Sequence, residues 1–298
     1  MTRAPKPRLL PTVADLRAAK GRRQLTMLRY FSLDEAAAAE AAGIDIASVP
    51  AEIVLDPRYR QAAPSVFSMT GLTHLQAGSA DDYLRWSGDA INRGADAVYC
   101  SGSLRTVEHL AREHIPVVGH VGLVPARATW TGGFRAVGKS AEAALALYDE
   151  VRAYEAAGAF AVEIEVVPAE VAAAISARVG ILLWSMGAGA GCDAQYLFAN
   201  DILGYTEGHV PRHSKASATL PPNMPGCRKN APPPSANLPT MSRAAPSRRT
   251  TTSCTWGRPN LTGSWPGWNA AARRPADVEK IERRAFRPEN NRRGNRRC

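Results

Sequence analysis

No stretch of this sequence approaches the roughly twenty consecutive apolar residues that span a membrane. Its first residues carry Arg3, Lys6, Arg8 and prolines but no apolar run of signal length, which predicts a soluble, unexported, cytoplasmic protein. The five cysteines (Cys100, Cys192, Cys227, Cys254, Cys298) contain no C-x-x-C pair and form no even-numbered framework of a short secreted chain, so reduced thiols are expected. Walker motif, nucleophile elbow and zinc-ligand spacing are all missing.

What is present is an ordinary apolar fraction, 45% of 298 residues, enough for one large α/β domain or two small ones. The formal charge of +10 would suggest nucleic acid or an anionic membrane as partner, but it is unevenly placed. From Pro211 onward there are 18 Lys+Arg against 4 Asp+Glu, while residues 1–210 are mildly acidic. Neither nucleic acid nor membrane is therefore expected as a partner of the folded part.

In segments 34–42, 81–93 and 141–157 an Ala-rich helical run stops at a glycine (Gly43, Gly94, Gly158) and enters a short apolar stretch. Glycine suits the left-handed position just past a helix, and a buried parallel strand reads as a continuous apolar run. With further apolar segments at 24–28, 65–69, 115–119, 180–185 and 195–199, the pattern gives about eight strands. That predicts a (β/α)8 barrel, with a doubly wound open sheet as the alternative that periodicity leaves open. Ser79 and Ser140 are expected to cap their helices, and Pro168 to begin the helix holding Glu170 and Val171.

In a barrel the C-terminal strand ends would gather residues 49–52, 99–102, 119–122, 163–167 and 186–193. Glu163 and Glu165 sit two apart on one strand and so share a face, which among Val162, Ile164 and Val166 is expected to be the interior or its mouth. A solvated strand end or an ion pair is the plainer reading of the two. His120, between Gly119 and Val121, could bind an anionic substrate's oxygen or a metal, although a lone histidine is more often structural. The run Gly187-Ala188-Gly189-Ala190-Gly191-Cys192 fits a dinucleotide loop poorly and is expected to be a close-approach loop.

Six segments, in order and spacing, resemble the ketopantoate hydroxymethyltransferase family: Val13-Ala14-Asp15-Leu16-Arg17 to Lys20; Ile115 to Pro125 around Gly119-His120-Val121-Gly122; Gly132-Gly133-Phe134-Arg135-Ala136-Val137-Gly138-Lys139; Glu163-Ile164-Glu165-Val166-Val167-Pro168; Gly187-Ala188-Gly189 to Asp193; and Gly208-His209-Val210-Pro211-Arg212. The resemblance implies a (β/α)8 TIM barrel of the phosphoenolpyruvate/pyruvate-binding type and a large homo-oligomer. It implies transfer of a one-carbon unit from methylenetetrahydrofolate to 3-methyl-2-oxobutanoate, giving 2-dehydropantoate in pantothenate biosynthesis, with Mg²⁺ holding the keto acid. By motif, His120 corresponds to the substrate-binding histidine and Glu165 to the catalytic carboxylate.

The chain also departs from the family's pattern. Val49-Pro50-Ala51-Glu52 stands where Val-Gly-Asp-Ser ends the second strand, Thr70-Gly71-Leu72-Thr73 where Ala-Asp-Leu-Pro ends the third, and Tyr99-Cys100-Ser101 where Lys-x-Glu ends the fourth. Three acidic positions thus read Ala51, Gly71 and Ser101, so no metal ligand is assigned and weak or no Mg²⁺ binding is expected. Glu52 could restore one ligand. A catalytically impaired keto-acid-binding paralogue or assembly partner stands as the alternative to the transferase.

Beyond about Lys215 the text changes to Pro232-Pro233-Pro234 and Arg292-Arg293-Gly294-Asn295-Arg296-Arg297, without helical or strand period. Shifting the reading by one base lets codons 217–242 encode RNFAAEYARLQKERAAAFREFADDV, an amphipathic helix resembling the family's terminal one. Codons 258–269 likewise permit TELDRFLAGLE. A one-base frameshift near Lys215 follows. The division expected is an N-terminal arm (1–12), a barrel (13–213) lacking a normal final helix, and a disordered basic tail (214–298) out of frame.

Overall fold

The computed structural model describes residues 9–72 and 76–208, together with 210, 211, 213, 214 and 216. Eight parallel strands follow one another in chain order: β1 (Leu25–Arg29), β2 (Ile46–Ser48), β3 (Phe67–Gly71), β4 (Ala97–Tyr99), β5 (Val117–Gly122), β6 (Ala161–Glu165), β7 (Leu182–Met186) and β8 (Ala194–Phe198). β1 closes on β8, Leu25 opposite Ala194 and Arg29 opposite Phe198, so the sheet is a barrel and the open-sheet alternative is excluded. Each of the eight apolar segments read from the sequence carries one of these strands. The tail beyond 216, the change of frame, and Cys227, Cys254 and Cys298 lie outside the described residues.

The strands are apolar on both faces because both are covered. Met27, Ile46, Met69, Val118, Leu182 and Trp184 fill the barrel. Val117, Val121, Val162 and Ile164 point outward onto Leu147, Val151 and Tyr154 of the helix Ala141–Ala156. Ser79 and Ser140 cap as expected, their hydroxyls accepting the N–H of Asp82 and Ala143. Gly43, Gly94 and Gly158 all take positive φ at the helix-to-strand passages.

Several helices were not singled out by the apolar pattern, and two of these exceed a single turn. Val13–Ala19, opened by a Thr12–Asp15 capping box, inserts Leu16 into the interior cluster, and Lys20 Nζ donates to Asp193 Oδ2 at 2.6 Å. Leu104–Arg112 packs Val107 and Leu110 on the outer core. Among the described residues no helix is long and apolar enough to cross a membrane.

The glycine run 187–192 is a close-approach loop, but it does not stay at the mouth. It descends from the end of β7 to the start of β8 without a helix, lying against the helix Ala169–Ser176. A Cβ at Gly189 or Gly191 would stand 2.4 Å from the Cβ of Ala169 or Ala173. This corrects the grouping of 186–193 at the mouth: Asp193 sits at the opposite end, accepting the N–H of Leu183.

Gly119 permits a close strand-to-helix contact, since a Cβ there would fall 2.4 Å from Cδ1 of the buried Tyr154. Gly119→Ala is expected to lose ~1–3 kcal/mol of stability by overpacking. In urea unfolding, Gly119→Ala combined with Tyr154→Ala should cost less than the sum of the two single changes. Strict additivity would contradict the contact.

Candidate active site

At the C-terminal ends of the strands the barrel encloses a cavity of about 350 Å³. On β5 and β6 the period of two that sends Val118 and Ala161 inward also sends His120, Glu163 and Glu165 inward, one step nearer the mouth. Register places His120 opposite Glu163 and Gly122 opposite Glu165. Gly122, at φ +84°, lets β5 turn away directly over β6, where a Cβ would come within 2.4 Å of the Glu165 carbonyl oxygen. That carbonyl accepts the N–H of Leu123 at 2.9 Å.

Val166 takes φ +48°, a conformation that costs a β-branched residue ~1–3 kcal/mol. Its N–H bond to the Met186 carbonyl (2.9 Å) and the Val137 N–H bond to its own carbonyl (3.1 Å) hold it there. Strain of this kind is stored immediately beside Glu165.

His120 is 3% exposed, and each of its nitrogens has a distinct neighbour. Nδ1 lies 2.7 Å from Tyr99 Oη and 3.7 Å from Glu163 Oε2; Nε2 lies 3.1 Å from Glu165 Oε2. Burial holds the Tyr99 phenol well above its ordinary range, so it keeps its proton and can donate it to Nδ1. We assign the imidazole proton to Nε2 on that basis. Despite the short distance to Glu165, the geometry is out of line for a hydrogen bond, and Nε2 has no such partner among the described residues. A buried donor without a partner is costly, which makes Nε2 the atom here most in need of a ligand.

The two carboxylates differ. Glu163 is 4% exposed, and burial pushes its carboxyl up to about 7, against the pull of His120 and Arg29 and with a smaller push from Glu165. Glu165 stands nearer the opening, with its side chain 13% exposed.

The cavity thus brings together His120, Glu163 and Glu165 as the sequence suggested, with Val49, Pro50, Gly71, Ser101 and Met186 also on its wall. It also takes in Arg29, Ser48, Tyr196 and Phe198, which the sequence reading passed over. Their signal was alternation: Leu25, Met27 and Arg29 occupy positions i, i+2 and i+4 of one strand. Glu52, by contrast, is exposed on the helix Ala51–Val54 and does not line the cavity. His213, beyond the barrel, sets its ring against Gly187, while His209 and Arg212 lie outside the described residues.

Mg²⁺ requires several hard oxygen donors around one point. The positions that the family resemblance would assign to acidic ligands hold Ala51, Gly71 and Ser101, and among the described residues no three His, Cys, Asp or Glu side chains gather suitably for a metal. The donor set does not fit. Cys100 and Cys192 are free and buried, and burial lifts their thiols to about 11 and about 12, so neither is a reactive thiolate.

A family model described as ketopantoate hydroxymethyltransferase matches residues 60–229. The chain is 35% identical over 233 residues to the 3-methyl-2-oxobutanoate hydroxymethyltransferase of Nitratidesulfovibrio vulgaris (strain DP4), covering 70% of this chain and 76% of that protein. It is 34% identical over 233 residues to the protein of the same name from Oleidesulfovibrio alaskensis, covering 70% and 81%. With that from Dehalococcoides mccartyi the identity is 43% over 130 residues, 43% of this chain and 46% of the other.

Proposed function

The chain belongs to the ketopantoate hydroxymethyltransferase family, and from that premise we propose that it transfers a one-carbon unit from methylenetetrahydrofolate to carbon 3 of a 2-keto acid, 3-methyl-2-oxobutanoate. The observation that carries this reading is the pairing, inside one cavity, of an unpartnered Nε2 on His120 with the Glu165 carboxyl 3.1 Å away. Nε2–H donates to the keto oxygen, and Glu165 takes the proton from carbon 3. The enolate so formed attacks the methylene carbon of the folate, and water completes the hydroxymethyl group as tetrahydrofolate leaves. Tyr99, by donating to Nδ1, fixes the tautomer that presents Nε2–H.

A second reading, a keto-acid-binding paralogue or assembly partner without turnover, is favoured by Ala51, Gly71 and Ser101 in place of the family's acids. Incubation with both substrates separates the two. Formation of 2-dehydropantoate supports the transferase; keto-acid binding with neither product nor deuterium exchange at carbon 3 supports the second. We also infer a cytoplasmic homo-oligomer, in keeping with the two buried free thiols and with Trp130 and Phe134, exposed by 90% and 76%.

A further inference from the structure

Arg29 ends β1 with its side chain on the face that Leu25 and Met27 direct into the barrel. Closure in the order β1 to β8 sets β1 and β5 on opposite walls, so Arg29 faces the His120 side across the cavity. It is half-buried, and its Nη1 donates to Ser48 Oγ at 2.9 Å. Together with Ser48 it engages the Tyr196 hydroxyl, whose proton burial retains. Its guanidinium carbon lies 5.6 Å from the Phe31 ring centre, which steadies the plane of the fork.

Among the described residues Arg29 is in no ion pair, whereas the half-buried Lys20 and Arg60 each hold an aspartate. Glu163 feels its charge but is largely protonated below about 7. A guanidinium has five N–H donors and cannot shed its charge; half-buried on the cavity wall with neutral hydroxyls as its hydrogen-bond partners, it has donors to spare for an anion. A positive charge withdrawn from water without a counter-ion is unfavourable, and the chemistry that relieves it is a planar carboxylate accepting two parallel N–H bonds.

We propose that Arg29 anchors the carboxylate of the substrate, supplying the positive charge for which this mouth has no metal donor set. This rests on the keto-acid reading above. The acid then spans the cavity, its carboxylate on β1 and its carbons 2 and 3 turned toward His120 and Glu165 on β5 and β6. Arg29 is thereby a substrate-binding residue of this chain, outside the stretch 60–229 that the family model matches.

The test is calorimetric titration of the 298-residue chain with 3-methyl-2-oxobutanoate, first in EDTA and then in Mg²⁺. Arg29→Gln, Arg29→Lys and the uncharged methyl ester of the acid serve as comparisons. The expected result is binding in EDTA that Mg²⁺ changes less than about twofold. Arg29→Gln should weaken it by about 10- to 100-fold, the value of a charge-assisted pair, with partial recovery in Arg29→Lys. The ester should show no such dependence on residue 29. Near-ultraviolet circular dichroism of each variant guards against loss of fold, and Arg29→Lys keeps the charge where Arg29→Gln is unstable. Binding that requires Mg²⁺, or that Arg29→Gln leaves within twofold, overturns the anchor. If neither EDTA nor Mg²⁺ allows any binding, the keto-acid reading itself falls, and the anchor with it.

Discussion

Glu165→Gln should slow deuterium exchange at carbon 3 of bound 3-methyl-2-oxobutanoate by about 10²–10⁴-fold, the usual contribution of a positioned general base. Glutamine keeps the shape and the hydrogen-bonding reach of glutamate but cannot take a proton, so the loss reports chemistry and not packing. Glu163→Gln should cost far less, because Glu163 is buried behind His120 and, with its carboxyl pushed up to about 7, is about half protonated at neutral pH. Exchange followed by NMR, with keto-acid affinity measured alongside, distinguishes the two. Equal losses in both variants would remove Glu165 from the role of base, and a loss confined to affinity would make it a binding group only.

The contrast between these two glutamates shows where sequence reasoning succeeds and where it stops. That they share a face follows from a period of two, and the surrounding Val162 and Ile164 require that face to be inward. The motif resemblance singled out Glu165; what it could not give is the burial, the side of His120 each glutamate meets and the turn that Gly122 allows over Glu165, the tertiary facts on which its proposed role as base rests. The eight strands were legible because both faces of a barrel strand are apolar. Arg29 was missed for the same reason, since an apolar pattern ends a strand at its first charge, and there the site begins. The helix-less β7–β8 crossover was hidden for a different reason: glycines in sequence signal close approach without naming the surface approached.

The donor set at the mouth and the state of Glu163 bear on each other. With Glu163 protonated, the region around His120 carries one anion fewer opposite the positive charge of Arg29. Deprotonating Glu163 adds a buried anion 3.7 Å from Nδ1 and competes with substrate for the field of Arg29. A magnesium site would reverse this preference, because a cation favours ionised carboxylates. The raised pKa of Glu163 is thus consistent with a mouth built around a guanidinium.

That coupling has a measurable signature in stability. An unperturbed glutamate titrates near 4.5, whereas Glu163 in the folded chain titrates near 7. Between these values the native state holds a proton that the unfolded state has released, so stability must fall as pH rises through this window and level off above it. Each pH unit of the window is worth about 1.4 kcal/mol, which gives a decline of about 3 kcal/mol from this group. Other groups titrate over the same range, but they do so in Glu163→Gln as well and cancel in the difference. Urea unfolding of both proteins between pH 4.5 and 8 should therefore show the wild type losing about 3 kcal/mol relative to Glu163→Gln as pH rises. Parallel curves would mean that Glu163 is ionised throughout, and a wild type that gains on the variant would mean that its charge is stabilised in the fold by Arg29 and His120 after all.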